Sequence, residues 1–174
     1  MSSFGKGLAA VAAAAAMATT PTAVAWAGPG GASGWEPYQT PSFSLAAGVS
    51  CSFPLRGDVV YDHELTRVVE RFPDGTPKVQ EFQGSLGVDF TNTDTGETVR
   101  RDASGTLRAT FHEAGGSDWQ FEGNGIAVIR TSHPNSAEGV YLLSGSILYS
   151  VNPDGSRGFT VRHGDIENIC ETLA

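Results

Sequence analysis

From Val140 to Val151 the chain places Tyr141, Leu143, Ile147, Tyr149 and Val151 at every second position, with Gly145 completing the series. Successive side chains of an extended strand point to opposite faces, so a period of two gathers this set on one side of a sheet. The same repeat runs through Ser85 to Thr91 (Leu86, Val88, Phe90), Thr106 to His112 (Leu107, Ala109, Phe111) and Asp118 to Glu122 (Trp119, Phe121). Further strands are expected over Leu55 to Val60, Leu65 to Phe72, Lys78 to Gln83, around Val99, and over Ile126 to Arg130 and Gly158 to Val161.

The links between these runs carry turn chemistry. Phe72-Pro73-Asp74-Gly75 and Asn152-Pro153-Asp154-Gly155 join a Pro of fixed φ to a Gly that accepts positive φ. Asn92 to Gly96 reads as a longer hairpin loop, and Gly115-Gly116 marks another turn. Asn124-Gly125 is a candidate two-residue turn or bulge. Asp165 to Leu173 is the one expected helix, with Asp165 as its cap and Cys170 on it. About eight to nine strands with short links and no strand-helix-strand spacing predict an all-β antiparallel meander. A meander of this size must protect its edges, and closing or nearly closing into a small barrel does so most simply. A two-sheet β-sandwich is the alternative. Gly145, inside the longest apolar face, suits a strand that bends sharply.

The first 27 residues have the three-part form of a secretory signal: a short segment with Lys6, an alanine-rich apolar run from Leu8 to Ala18, and small residues ending in Ala25-Trp26-Ala27. Cleavage is expected after Ala27, with Ala25 as a second position, and the mature chain is expected outside the cell. The apolar run is short against the roughly 20 residues of a membrane span, and no second one follows, so no membrane anchor is expected. Residues 28–50, rich in Gly, Pro and Ser, read as an N-terminal arm; Trp35, Tyr38 and Phe43 suggest that its second half packs on the body, the barrel-like domain of residues 51–174.

The formal net charge is −8, and cleavage would remove Lys6 and deepen it. Nucleic acid and anionic lipid both need a positive surface, so neither is an expected partner. Cys51 and Cys170 are the two cysteines of the chain. In an oxidising compartment such a pair reads as a disulfide, and closing so long a loop contributes roughly 4–5 kcal/mol in the chain-entropy account.

Catalytic patterns are sparse. Asp94-Thr95-Gly96 matches the tripeptide of aspartic proteases, but it follows Thr91-Asn92-Thr93, continues with Glu97 and has no second copy, so it reads as a turn. His63, His112, His133 and His163 show no metal-ligand spacing, and no metal or cofactor is expected. The many carboxylates suit the solvent faces of strands, and no nucleophile, base and orienting group can be named together. The aromatic set Phe90, Phe111, Trp119, Phe121, Tyr141 and Tyr149 is the candidate lining of a barrel interior, which side chains can fill or which can hold one small ligand.

The segments Gly48 to Arg56 (GVSCSFPLR), Arg71 to Gly75 (RFPDG), Thr91 to Gly96 (TNTDTG) and the terminal Ile169-Cys170 resemble those of small secreted β-rich actinobacterial proteins with no assigned activity. The resemblance implies a bacterial, extracellular protein and transfers no catalytic residue. The leading expectation is a non-catalytic binding module for a small apolar ligand or an extracellular protein. An inhibitor-like interaction protein is the alternative, and a hydrolase with an unrecognised site ranks third.

Overall fold

The computed structural model describes residues 34–174. The signal-like segment, the expected cleavage site after Ala27 and the start of the arm lie outside the described residues. Eleven strands and one short helix follow in order: β1 (Glu36–Tyr38), β2 (Phe43–Leu45), β3 (Leu55–Asp62), β4 (Glu64–Arg71), β5 (Pro77–Gly84), β6 (Leu86–Asn92), β7 (Thr98–Asp102), β8 (Gly105–Phe111), β9 (Ser117–Ile129), β10 (Gly139–Val151), β11 (Arg157–Asn168) and α1 (Ile169–Thr172).

The protein is all-β and builds two antiparallel sheets. The larger has seven strands in the order β1-β4-β5-β8-β9-β10-β11, the smaller four in the order β2-β3-β6-β7. No closed barrel is found among the described residues, because no ladder runs from one sheet into the other. The arm supplies β1 to the larger sheet, paired with β4, and β2 to the smaller, paired with β3.

The hairpin turns follow from their residues. In Phe72–Gly75 the Gly75 N–H donates to the Phe72 carbonyl at 2.9 Å, and the Asp74 carboxylate accepts from the Thr76 N–H at 2.9 Å. Asn152–Gly155 repeats this, with the Asp154 carboxylate accepting from Ser156 at 2.9 Å. In the loop holding Asp94-Thr95-Gly96, the Gly96 N–H donates to Asn92 at 2.8 Å, which makes that tripeptide the turn between β6 and β7.

Two boundaries differ from the sequence expectation. Asn124-Gly125 lies inside β9, since every residue from Ser117 to Ile129 has a partner on β10 and the pairing holds the strand extended. The helix is shorter than expected: Asp165 to Asn168 stay in β11, paired with Tyr141 to Ser144, and Asn168 rather than Asp165 caps α1 by accepting from the Cys170 N–H.

Five glycines stand in one row across the larger sheet. Gly84 pairs with Gly105, Gly105 with Gly123, Gly123 with Gly145 and Gly145 with Gly164, one on each of β5, β8, β9, β10 and β11. Gly123, Gly145 and Gly164 have φ of 92°, 115° and 107°, values that L side chains rarely adopt. A Cβ on Gly145 would press on the His163 backbone and one on Gly164 on the Ser144 carbonyl. Aligned strand glycines let a sheet crease sharply where backbones approach too closely for side chains. Gly145, where the sequence suggests a bend, is therefore one member of a glycine row that crosses five strands.

Two apolar clusters result. Leu55, Val88, Phe90 and Leu86 of the smaller sheet pack with Val140 and Leu142 of β10 and with Ile169 and Leu173 at the C-terminus. Phe121, Ala127 and Ile129 of β9 pack with Tyr141, Leu143, Ile147 and Tyr149 of β10 in the second. Cys51 and Cys170 are bonded, with Cα atoms 5.2 Å apart, which ties the segment before β3 to α1.

Candidate functional site

The larger sheet alternates cleanly where β5, β8 and β9 lie side by side. Phe82 pairs with Leu107 and Leu107 with Phe121, so these three share one face. Their neighbours Glu81, Gln83, Arg108, Gln120 and Glu122 take the other. The apolar face looks into a cavity of about 440 Å³ between the two sheets. Phe82, Leu107, Trp119 and Phe121 form one wall, Ile126 and Val128 continue it past Gly123, and Phe43, Leu45, Val59, Leu86 and Val88 of the smaller sheet face them.

The arm contributes more than packing. Tyr38, Thr40, Pro41 and Phe43 all line the cavity as the chain crosses from β1 to β2. Phe43 lies over Gly57, where a Cβ would strike its ring, and its ring centroid is 6.3 Å from that of Phe90. Tyr38 meets Phe82 edge to face at 5.1 Å. The Thr40 N–H donates to an Asp62 carboxylate oxygen at 2.7 Å and its hydroxyl to Glu64 at 2.6 Å, while Asp62 also accepts from the Glu64 N–H at 2.9 Å. Two carboxylates thus anchor the crossing segment.

Glu64 is the acidic group of the cavity wall, and Thr40, Asn124 and Arg130 add polar atoms. Burial pushes the Glu64 carboxyl up from its ordinary value; the Thr40 hydrogen bond pulls it down and Asp62 pushes it up further. Burial likewise raises the Tyr38 phenol, with Glu64 and Asp62 adding to the shift. The cavity therefore offers a broad apolar surface with a few hydrogen-bonding groups, the usual make-up of a small-molecule site.

The six aromatic residues singled out from the sequence separate in space. Trp119 and Phe121 line the cavity. Phe90 is fully buried in the core between the sheets. Phe111 rests edge to face on Trp119 at 5.8 Å. Tyr141 and Tyr149 both pack on Phe159, at 5.1 and 5.2 Å, in the cluster between β9 and β10. Sequence reasoning missed Phe43, Phe82, Ile126, Val128 and Glu64. The flanking Glu81 and Gln83 mark Phe82 as inward-facing, whereas Phe43 sits in a Pro-rich stretch with no period of its own.

Among the described residues no three His, Cys, Asp or Glu side chains group to hold a metal ion, and no helix is long and apolar enough to cross a membrane. Comparison of the chain with protein-family models, curated proteins and solved structures finds no match.

Proposed function

We propose that the protein is a secreted binding module that holds one small apolar molecule between its sheets. The observation that carries this reading is the cavity of about 440 Å³, whose volume falls in the range of ligand sites and whose walls are largely aromatic and aliphatic. A small apolar molecule seated against these walls would remove their apolar surface, and its own, from water.

In this reading the two sheets act together as an incompletely closed barrel. Residues 39–42 join β1, an edge of the larger sheet, to β2, an edge of the smaller. On the opposite side Arg101 of β7 and Glu167 of β11, again one edge strand from each sheet, form an ion pair at 2.6 Å. Such an arrangement would partly shield an interior by its own walls without a continuous ladder.

The test is native mass spectrometry of protein purified from culture medium, followed by displacement of a fluorescent apolar probe with decanol. The wild-type protein should carry or take up one apolar molecule per chain. Leu107→Trp, which places an indole in the cavity, should weaken uptake at least tenfold while the protein stays folded by circular dichroism. Wild-type protein that neither carries nor takes up an apolar molecule would remove this reading.

A further inference from the structure

On the reverse of the cavity wall the larger sheet carries a second concavity of about 330 Å³, lined by Trp35, Arg67, Glu81, Gln83, Thr106, Arg108, Gln120 and Glu122 together with the edges of Phe82 and Leu107. Pairing sets its floor. Arg67, Glu81, Arg108 and Gln120 form one row across β4, β5, β8 and β9, and Gln83, Thr106 and Glu122 form the next row on the same face.

The charges of this floor satisfy one another. Glu81 accepts from Arg67 at 2.7 Å and is also bonded by Arg108. Glu122 accepts from Gln120 at 3.2 Å and from the Ser146 hydroxyl at 2.8 Å. Two guanidinium groups stand against two carboxylates, so the charged side chains that line the groove balance in formal charge. The groove also presents the Gln83 amide, the Thr106 hydroxyl and the Trp35 indole. At the rim, the Arg67 guanidinium lies 4.5 Å from the centroid of the Trp35 ring, a cation–π contact that fixes a half-exposed indole over one side of the groove.

From this arrangement we infer that the groove binds a neutral saccharide. A sugar chain presents alternating hydroxyl donors and acceptors to match the amides and charged pairs, and C–H faces to pack against an aromatic ring such as Trp35. Pre-paired side chains lose little rotamer freedom on binding, so the floor is already organised for such a ligand. An anionic ligand would have to displace Glu81 from two arginines, and a cationic one would meet those arginines directly.

Screening the full chain on an array of neutral and uronate-containing oligosaccharides tests this, with affinities of the best neutral hexasaccharide then measured by isothermal titration calorimetry. The wild-type protein should bind a neutral oligosaccharide, and no uronate should bind more tightly. Trp35→Ala and Gln120→Ala should each weaken binding at least tenfold, and Trp35→Tyr should keep most of it. Circular dichroism of each variant checks that the fold is retained; should one alanine variant unfold, the other and Trp35→Tyr still decide the outcome. Absence of binding across the neutral glycans, preference for the uronates, or equal binding by folded alanine variants would overturn the inference.

Discussion

Arg101, on the outermost strand of the smaller sheet, donates two hydrogen bonds of 2.7 and 2.6 Å to the Glu167 carboxylate on the outermost strand of the larger. The Thr172 hydroxyl adds a third to the same carboxylate at 2.7 Å. Pairing edge strands through one planar fork ties the sheets where their backbones do not meet.

Removing that fork should loosen the junction measurably. Arg101→Ala should cost about 1 kcal/mol at neutral pH, the upper part of the range for partly exposed ion pairs with good geometry. The Arg101 hydrogen bond holds the Glu167 carboxyl below its ordinary value. A depressed carboxylate contributes stability that is full above its unfolded-state value and fades as pH falls through its folded-state value. Urea denaturation of wild type, Arg101→Ala, Glu167→Gln and the double variant at pH 7 and in acid should show a coupling that disappears in acid.

The disulfide should matter more. Cys51 and Cys170 are 119 positions apart in the chain, and a loop of that size gains much from closure. Cys51→Ala should lower stability by about 2–5 kcal/mol. Thermal melts with and without reductant check this: reduced wild type should approach the variant, and unchanged melting under strong reductant would count against the bond as a stabiliser.

The glycine row separates permitted from forbidden side chains. Gly145→Ala must place a Cβ against the His163 backbone at a φ of 115°, and should destabilise by about 2–3 kcal/mol. Gly158, with nothing within 4 Å of its would-be Cβ, should accept Ala within about 0.5 kcal/mol. Melting temperatures of the two variants measured side by side give the comparison.

Glu64 should behave oppositely to Glu167. Its carboxyl is raised, chiefly by burial, so the folded state prefers it protonated and stability declines as pH rises through the interval from its unfolded to its folded value. Glu64→Gln escapes that decline. The variant should melt at or above the wild-type temperature at pH 7, and the two should converge below about pH 4, near the ordinary Glu value. A variant clearly less stable at pH 7 would show that the ionised group is held favourably.

Much of the fold was legible because the alternation is strict: Leu86, Val88 and Phe90 are all buried, and Tyr141, Leu143, Ile147 and Tyr149 share one core as their spacing requires. The turns were legible because Pro-Asp-Gly chemistry is local. Longer-range facts were hidden. Asn124-Gly125 carries a turn signature that thirteen residues of pairing with β10 override. Which apolar face encloses space and which is filled depends on the packing of one sheet on another, so Phe90 and Phe121 look alike in the sequence and differ in the structure. The arm's role was also obscured, since Phe43 and Leu45 gain their partners only through β3.

The glycine row also limits how this chain can change length. Its five glycines align only while β5, β8, β9, β10 and β11 keep their present register. Inserting or deleting one residue in the middle of any of these strands would shift its glycine out of line and put a bulky neighbour where backbones nearly touch. It would also turn that strand's remaining side chains to the wrong face. Length variation should therefore be tolerated at exposed hairpin tips, such as Pro73–Gly75, and refused along the glycine row.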